Sequence, residues 1–365
     1  MNAIASLLIS TLLACEGPAP VKSPQGDPPA KSASAKTSPP VRTPRHQENE
    51  LGRIIDMLEK DVLVSLKSLE AEAQRIHRLR LVELARALGQ GRLVLDLGED
   101  TLIECLYVVP GHFRIGRTEE EVRDANIKAN AIQHEPSAPM VKGRLERGFF
   151  LSKFEITNRQ YGRYRSERGD STPLGELDEP VVGITWKDAM GYCDWIAKKT
   201  GWKARLPTEV EWEYAARGRS ATRYGTISSG AQSGMDPNWA PEELDSAQAV
   251  GTNSFDVSWC GVHDLTANVS EWVYDLYEET LYRDLLEEHP RGMVYSPVLE
   301  PVPKSNPGPV RERVHRGGSY RDLTVNCEAA TRRRKLEDDF KDYIGFRVAL
   351  ILPVELFETP PEPAR

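Results

Sequence analysis

The sequence predicts an irregular α+β domain that follows a long amphipathic helix. Two observations indicate this fold class. Between Leu102 and Leu352, short strand-like segments alternate with capped helices, and Gly- and Pro-rich connections separate them. Before this region, residues 48–91 carry apolar side chains at three- and four-residue steps, which is the period of an amphipathic helix that ends near Gly91.

Composition limits the classes of partner. The chain has 365 residues, of which 39% are hydrophobic and 28% charged, and its formal net charge is -8. An acidic protein of this kind has no basic field to recruit nucleic acid. The basic run Arg332–Lys335 precedes acidic residues from Glu337 onward, so we expect a solvated, self-paired stretch there.

The N-terminus predicts export. Residues 1–14 are apolar and uncharged, too short to span a bilayer comfortably, and end directly before Cys15. Leu12 to Cys15 resembles the lipobox at which bacterial lipoproteins are cleaved and acylated. Residues 1–15 are therefore interpreted as a signal peptide, with lipidation of Cys15 and a membrane anchor at the cell envelope. The alternative is a helix N-terminus that is never exported, and the lack of Lys or Arg before the apolar run favours it.

Three further segments flank or precede the domain. Residues 16–47 are rich in Pro, Ser, Ala and Lys and are expected to form a disordered tether. The helix of residues 48–91 either packs on the domain that follows or, over residues 48–88, dimerises the protein as a coiled coil. Residues 353–365 are expected to be a disordered tail.

Capping signals place the first helices of the domain. The segment 149–158 runs from a strand into a helix. Thr185 and Asp188 have the spacing of a capping box, and on the helix that follows Trp186, Met190, Cys193 and Ala197 share one face, which makes Cys193 a core residue.

Two further signals extend this pattern. Thr208 and Glu211 repeat the capping box, and Gly218 is expected to end that helix. Residues 219–261 show little periodicity of either kind. The five cysteines form no CxxC pair, and the sequence leaves open whether Cys105, Cys193, Cys260 and Cys327 are buried thiols or form disulfides.

Five motifs in order carry a family resemblance. They are PVVGITW, RLPTEVEWEYAARG, DLTANVSEW, RGGSY and IGFRVA, which begin at Pro180, Arg205, Asp264, Arg316 and Ile344. This set is similar to the sulfatase-modifying-factor, or formylglycine-generating-enzyme-like, domain over about two-thirds of the chain. The resemblance implies a single domain with a variant of the C-type-lectin fold, limited regular secondary structure and bound calcium.

The resemblance also implies calcium ligands. In DLTANVSEW they are the side chains of Asp264 and Glu271 and the backbone carbonyls of Ala267 and Val269, a mixed oxygen set that suits a hard cation. The alternative is that Glu271 pairs with an arginine. A second family calcium site would use Asn238 and the carbonyl of Trp239.

The catalytic members of the family bind copper(I) through two cysteines, three and eight residues after the Ser of the Gly-Gly-Ser motif. Here that serine is Ser319, and Asp322 stands at the first position and Cys327 at the second. A carboxylate is a hard ligand and does not replace a thiolate on copper(I). The residues after Cys327 fit the shorter loop of non-oxidase members, so we interpret Cys327 as a core thiol and expect no copper.

These observations favour a calcium-stabilised, non-catalytic binding or assembly module for an envelope protein, peptide or glycan. The alternative is an oxygen-dependent oxidoreductase that modifies a protein or peptide side chain, with Ser319, Asp322, Cys327 and Arg332 as candidate residues. A third hypothesis is a structural role for a dimer formed by the helix of residues 48–88. No histidine pair has metal-ligand spacing, and His315, beside the Gly-Gly-Ser motif, is interpreted as structural.

Overall fold

The computed structural model describes residues 91–128, 137–225, 245–298 and 311–352. Paired strands connect these parts of the chain. The predictions for residues 1–90, including Cys15 and most of the long helix, and for the tail 353–365 lie outside the described residues. No helix in these four ranges is long and apolar enough to cross a membrane.

The described residues form twelve strands and five α-helices. The strands are β1 (Arg92–Asp96), β2 (Leu102–Val108), β3 (Gly111–Ile115), β4 (Val141–Leu145), β5 (Phe149–Ser152), β6 (Lys203–Arg205), β7 (Ser270–Leu276), β8 (Met293–Tyr295), β9 (Glu312–Arg316), β10 (Arg332–Leu336), β11 (Ile344–Phe346) and β12 (Ala349–Ile351). The helices are α1 (Glu119–Lys128), α2 (Asn158–Ser166), α3 (Trp186–Thr200), α4 (Glu209–Arg217) and α5 (Leu281–Glu288).

Three small sheets contain all of these strands. The first sheet has the order β1-β2-β5-β12-β6 and is antiparallel throughout. The second has the order β10-β9-β7-β11, in which β7 and β11 are parallel. The third has the order β3-β4-β8. Since β1 pairs along its whole length with β2, the first sheet begins ahead of Leu102, where the sequence analysis placed the start of the domain.

Capping boxes begin three of the helices. The two predicted boxes are present, because the side chains of Thr185 and Thr208 each accept the backbone N–H three residues on, and Asp188 and Glu211 close the boxes. A third box, which the sequence analysis did not identify, begins α2 at Thr157. These local bonds satisfy N–H groups that the first turn of a helix otherwise leaves without partners.

The buried face of α3 differs in part from the predicted one. Trp186 and Cys193 are buried as expected, but Tyr192 and Ile196 complete the face instead of Met190 and Ala197. The described cysteines, Cys105, Cys193, Cys260 and Cys327, form no disulfide with one another.

Helix α4 lies at the centre of the core. All nine of its residues are buried, including three glutamates and an arginine. The helix contacts β3, β7 and β9, so it touches both the second and the third sheet. Burying a charge without a partner is very costly, so each of these groups requires an opposite charge from another element.

Arginines from three strands pair with two of these glutamates. Arg205 makes a bidentate pair with Glu211, with N–O distances of 2.6 and 2.7 Å. Arg332 donates from Nε to Glu209 at 2.5 Å, and Arg316 donates to the same carboxylate at 3.1 Å. These five side chains are all almost fully excluded from solvent.

Glu213 connects α4 to three further segments. Its carboxylate accepts from Arg316 at 2.5 Å, from Arg217 at 3.1 Å, from the backbone N–H of Gly116 and from the hydroxyl of Tyr282. Burial raises the pKa of Glu213, but Arg316 and Arg217 outweigh burial, so the net pKa is lowered and the carboxylate stays charged.

Two buried tyrosines give a test of the core. The Tyr192 hydroxyl is buried and has no hydrogen-bond partner among the residues that the structure describes, whereas the Tyr214 hydroxyl donates to the Val109 carbonyl at 3.0 Å. We expect Tyr192→Phe to leave the free energy of unfolding unchanged or to raise it by up to about 1 kcal/mol, because it removes an unsatisfied polar group. Tyr214→Phe, the matched control, is expected to lower it by about 1 kcal/mol. Urea unfolding measures both, and equal losses would contradict the prediction.

Candidate functional site

The Gly-Gly-Ser motif opens a tight loop, residues 317–327, which follows β9 and ends in the 3-10 helix Thr324–Cys327. Gly317 has φ +75, a left-handed conformation that favours glycine. A Cβ atom on Gly318 would lie 2.2 Å from the Cys327 sulfur, so only glycine allows the loop to pass this close to the cysteine.

Asp322 is held inside this loop. Its carboxylate accepts from the backbone N–H of Ser319 at 2.9 Å and from the Ser319 hydroxyl at 2.6 Å. Arg333, on β10, donates to the other carboxylate oxygen at 2.7 Å. The same guanidinium bonds to the carbonyls of Gly317 and Asn326. The Asp322 carboxylate is thus paired with the Arg333 guanidinium, and its bonds fix the shape of the loop.

Cys327 lies beneath the loop. It is fully buried, and its thiol is 3.5 Å from the Leu323 carbonyl. Two soft thiolates are needed for linear copper(I) coordination. The two positions that correspond to the copper pair therefore hold one buried thiol and one ion-paired carboxylate.

The structure brings together three of the four candidate catalytic residues. Ser319, Asp322 and Cys327 share the 317–327 loop, but Arg332 points to the opposite side of the second sheet and is buried against Glu209. The expectation of a solvated, self-paired basic run is therefore wrong at Arg332. The side chains of a strand alternate between the two faces of its sheet, so Arg333, which the sequence analysis did not single out, is the residue that reaches the loop.

His315 supports the loop from the second sheet. It is buried, its Nδ1 is 2.7 Å from the Ser270 hydroxyl, and its ring lies edge-on to Trp272. Burial, followed by the charges of Arg333 and Lys335, lowers the pKa of His315 well below its ordinary value. A buried neutral histidine in this position is a packing residue.

The four calcium-ligand candidates lie at the start of β7, near a group of buried carboxylates. Glu271 forms a bidentate pair with Arg347, with both N–O distances 2.6 Å, and also accepts from Trp212. Asp264, at φ +60, accepts from the backbone N–H of Gly251. Glu271 is therefore paired with an arginine, which was the alternative considered for it.

Asp256 shapes the chain segment between these two acids. Its carboxylate accepts from the backbone N–H groups of Thr266 and Ala267 and from the Thr266 hydroxyl. Burial raises the pKa of Asp256 to about 6. The bonds to Asp256 therefore orient the loop that carries Ala267 and Val269.

Glu155, which the sequence analysis missed, joins this group. Its Oε1 accepts from the Asn268 amide at 3.2 Å, but no donor in the described parts of the chain reaches its buried Oε2. Burial and then Asp264 raise the pKa of Glu155 well above its ordinary value. Burial and then Asp256 raise the pKa of Asp264 to about 7. The raised pKa values mean that too little positive charge lies near these acids to keep both carboxylates ionised.

This charge deficit fits a calcium ion. Arg347 faces Glu155, Asp264 and Glu271 together, so one cation faces three carboxylates. The Oε2 of Glu155, which no donor among the described residues reaches, and the nearby carboxylates are hard oxygen donors, which calcium prefers. The candidates for a second site, Asn238 and Trp239, lie outside the described residues.

The buried histidine predicts a pH dependence. Below pH 6.5 the unfolded chain takes up a proton at His315 and the folded chain does not, so His315 contributes stability that is lost as pH falls. We expect His315→Gln to remove this pH dependence. Below pH 6.5, the free energy of unfolding of the variant minus that of the unaltered protein should therefore rise by about 1.4 kcal/mol for each pH unit by which the pH is lowered. Urea unfolding at pH 7.5 and 5.5 tests this, with His112→Gln on β3 as control. A pH-independent difference would contradict it.

Comparison with known proteins places this geometry in a family. The chain is similar to the formylglycine-generating enzyme of Streptomyces coelicolor, 31% identical over 198 residues, which are 51% of this chain and 57% of that enzyme. It is also similar to the serine/threonine-protein kinase Pkn1 of Chlamydia trachomatis, 30% identical over 228 residues, 55% of this chain and 33% of the kinase. The chain thus spans about a third to just over half of these relatives.

A solved structure agrees in fold. PvdO from Pseudomonas aeruginosa superposes with a TM-score of 0.54 at 21% identity, over 71% of this chain and 98% of that one. The α+β fold predicted from the sequence is confirmed. The family profile described as the sulfatase-modifying factor enzyme 1-like domain matches residues 97–351, and the chain belongs to this family.

Proposed function

We propose that this protein is a non-catalytic binding or assembly module of the bacterial cell envelope. The observation that carries the proposal is the fixed state of Asp322, whose carboxylate is occupied by Ser319 and Arg333. A metal at this position would have to displace an ion pair and a hydrogen-bonded turn. The 317–327 loop therefore acts as a rigid part of the surface rather than as a reaction centre.

The anchor is part of the same proposal. The apolar run before Cys15 and the Pro- and Ser-rich segment after it support an exported lipoprotein whose domain stands off the membrane on a tether. Rigid loops on a packed scaffold suit recognition of an envelope protein, a peptide or a glycan.

We further propose that calcium stabilises the domain. Asp264 and Glu155, with the carbonyls of Ala267 and Val269, would hold the ion, while Glu271 stays paired with Arg347. A bound calcium would supply the positive charge that these buried carboxylates lack, and it would tie the segment before α2 to the segment before β7. Its role would be structural, because the carbonyls of Thr266 and Asn268 in the same segment accept the backbone N–H groups of Gly318 and Tyr320 and so hold the 317–327 loop.

One prediction of the proposed function concerns oxidation. A Cys-x-Pro-x-Arg peptide incubated with the protein, copper(I), a reductant and air should keep its mass, because one buried thiol cannot replace the copper pair. The Streptomyces coelicolor enzyme serves as the active control, and intact-mass analysis is the measurement. Conversion of the peptide thiol to an aldehyde would overturn the proposed function in favour of an oxidoreductase.

Another prediction of the proposed function concerns calcium. After treatment with a chelator, added calcium should raise the melting temperature, since a hundredfold excess over Kd stabilises a protein by about 2.7 kcal/mol. Asp264→Asn and Glu155→Gln should each reduce this response. Glu146→Gln, which changes an exposed acid paired with Arg144, is the matched control and should keep it. A calcium response that is absent, or equal in all variants, would rule out this site.

A further inference from the structure

Arg321, in the 317–327 loop, stands exposed between two tyrosine rings. Its guanidinium carbon lies 5.4 Å from the centre of the Tyr320 ring and 5.8 Å from that of Tyr343. Its Nε donates to the Tyr320 hydroxyl at 3.1 Å. The guanidinium is thus held in one orientation although about half of the side chain is open to solvent, with 52% exposed.

The acid that Arg321 contacts is weakly held. Asp342 forms an ion pair with Nη2 of Arg321, and the Asp342 side chain is 61% exposed. An ion pair this open to water contributes little, about 0.2–1 kcal/mol. A carboxylate from a ligand can therefore replace Asp342 at small cost, and it would meet a planar donor already in place.

The neighbouring side chains indicate what carries that carboxylate. Leu323 is 50% exposed and Phe340 is 62% exposed, and each lies two residues from a member of the ion pair. Lys341 is exposed beside Phe340, and the described part of the chain shows no ion pair for it. The chain thus offers a fixed cation and a second positive charge, with exposed apolar side chains two residues along the chain from each member of the ion pair, which keeps their Cα atoms within about 7 Å of it. Tyrosine and arginine are also enriched at the centres of protein interfaces.

We propose that this surface (Tyr320, Arg321, Leu323, Phe340, Lys341 and Tyr343) binds a peptide segment in which an acidic residue is flanked by apolar ones. The ligand carboxylate takes the place of Asp342 on Arg321, and its apolar neighbours cover Leu323 and Phe340. The inference rests on the proposed binding function and names the chemistry of its ligand.

The test uses the full-length protein and a fluorescent peptide with the repeat Leu-Glu-Phe, with Leu-Gln-Phe as the neutral counterpart. We expect the glutamate peptide to bind more tightly than the glutamine peptide, and less tightly as salt is raised. Arg321→Ala should weaken binding by at least about 10-fold, because a charge-assisted hydrogen bond is lost. Arg168→Ala is the matched control, since Arg168 is an exposed arginine 5.2 Å from the Tyr164 ring centre. It should bind as the unaltered protein does.

Asp342→Ala gives the sharpest outcome. It removes the internal competitor and should tighten binding about 2- to 5-fold, the opposite of what simple loss of a surface ion pair would do. Weaker binding by Asp342→Ala, or equal binding by Arg321→Ala, would overturn the inference. Full competition by free glutamate at the peptide concentration would show recognition of a carboxylate alone and overturn the peptide assignment. Oxidation of the cysteine peptide described above would instead overturn the proposed function, so the two failures are distinct.

Discussion

Complete burial of α4 is the constraint on which the rest of the structure depends. A helix that carries Glu209, Glu211 and Glu213 can be buried only if cations are built into the elements around it. Arg205 from the first sheet and Arg316 and Arg332 from the second meet this need. The third sheet joins through the N–H of Gly116, which follows β3. The position of each sheet is thus set relative to one helix.

This core also determines the candidate site. Because Arg316 and Arg332 point to α4, the residues beside them, His315 and Arg333, must point to the other face of the second sheet. Arg333 then reaches Asp322 and two carbonyls of the 317–327 loop. The loop is rigid because the strands that hold it are fixed from the opposite side.

The two buried groups of charges differ in balance. Around α4, every glutamate has at least one arginine at hydrogen-bonding distance. Around the start of β7, Arg347 faces the carboxylates of Glu155, Asp264 and Glu271, and the pKa values of Glu155 and Asp264 are raised. Each glutamate of α4 therefore has a counter-charge within the protein. An unbalanced group of charges requires protons or a bound cation, and this difference supports the proposal of calcium at the second group.

The sequence by itself determined the family, the α+β class and the local start signals of α3 and α4, because a capping box or an apolar period is written within a few neighbouring residues. It also identified Asp322 in place of a copper ligand. It missed Glu155, Arg333 and the stacked Arg321, and it placed Arg332 in solvent. Only the tertiary structure decided these, because their partners are set by chain packing: Arg332 and Glu209 are 123 residues apart, and Glu155 and Asn268 are 113 apart. No local pattern encodes which distant charges meet.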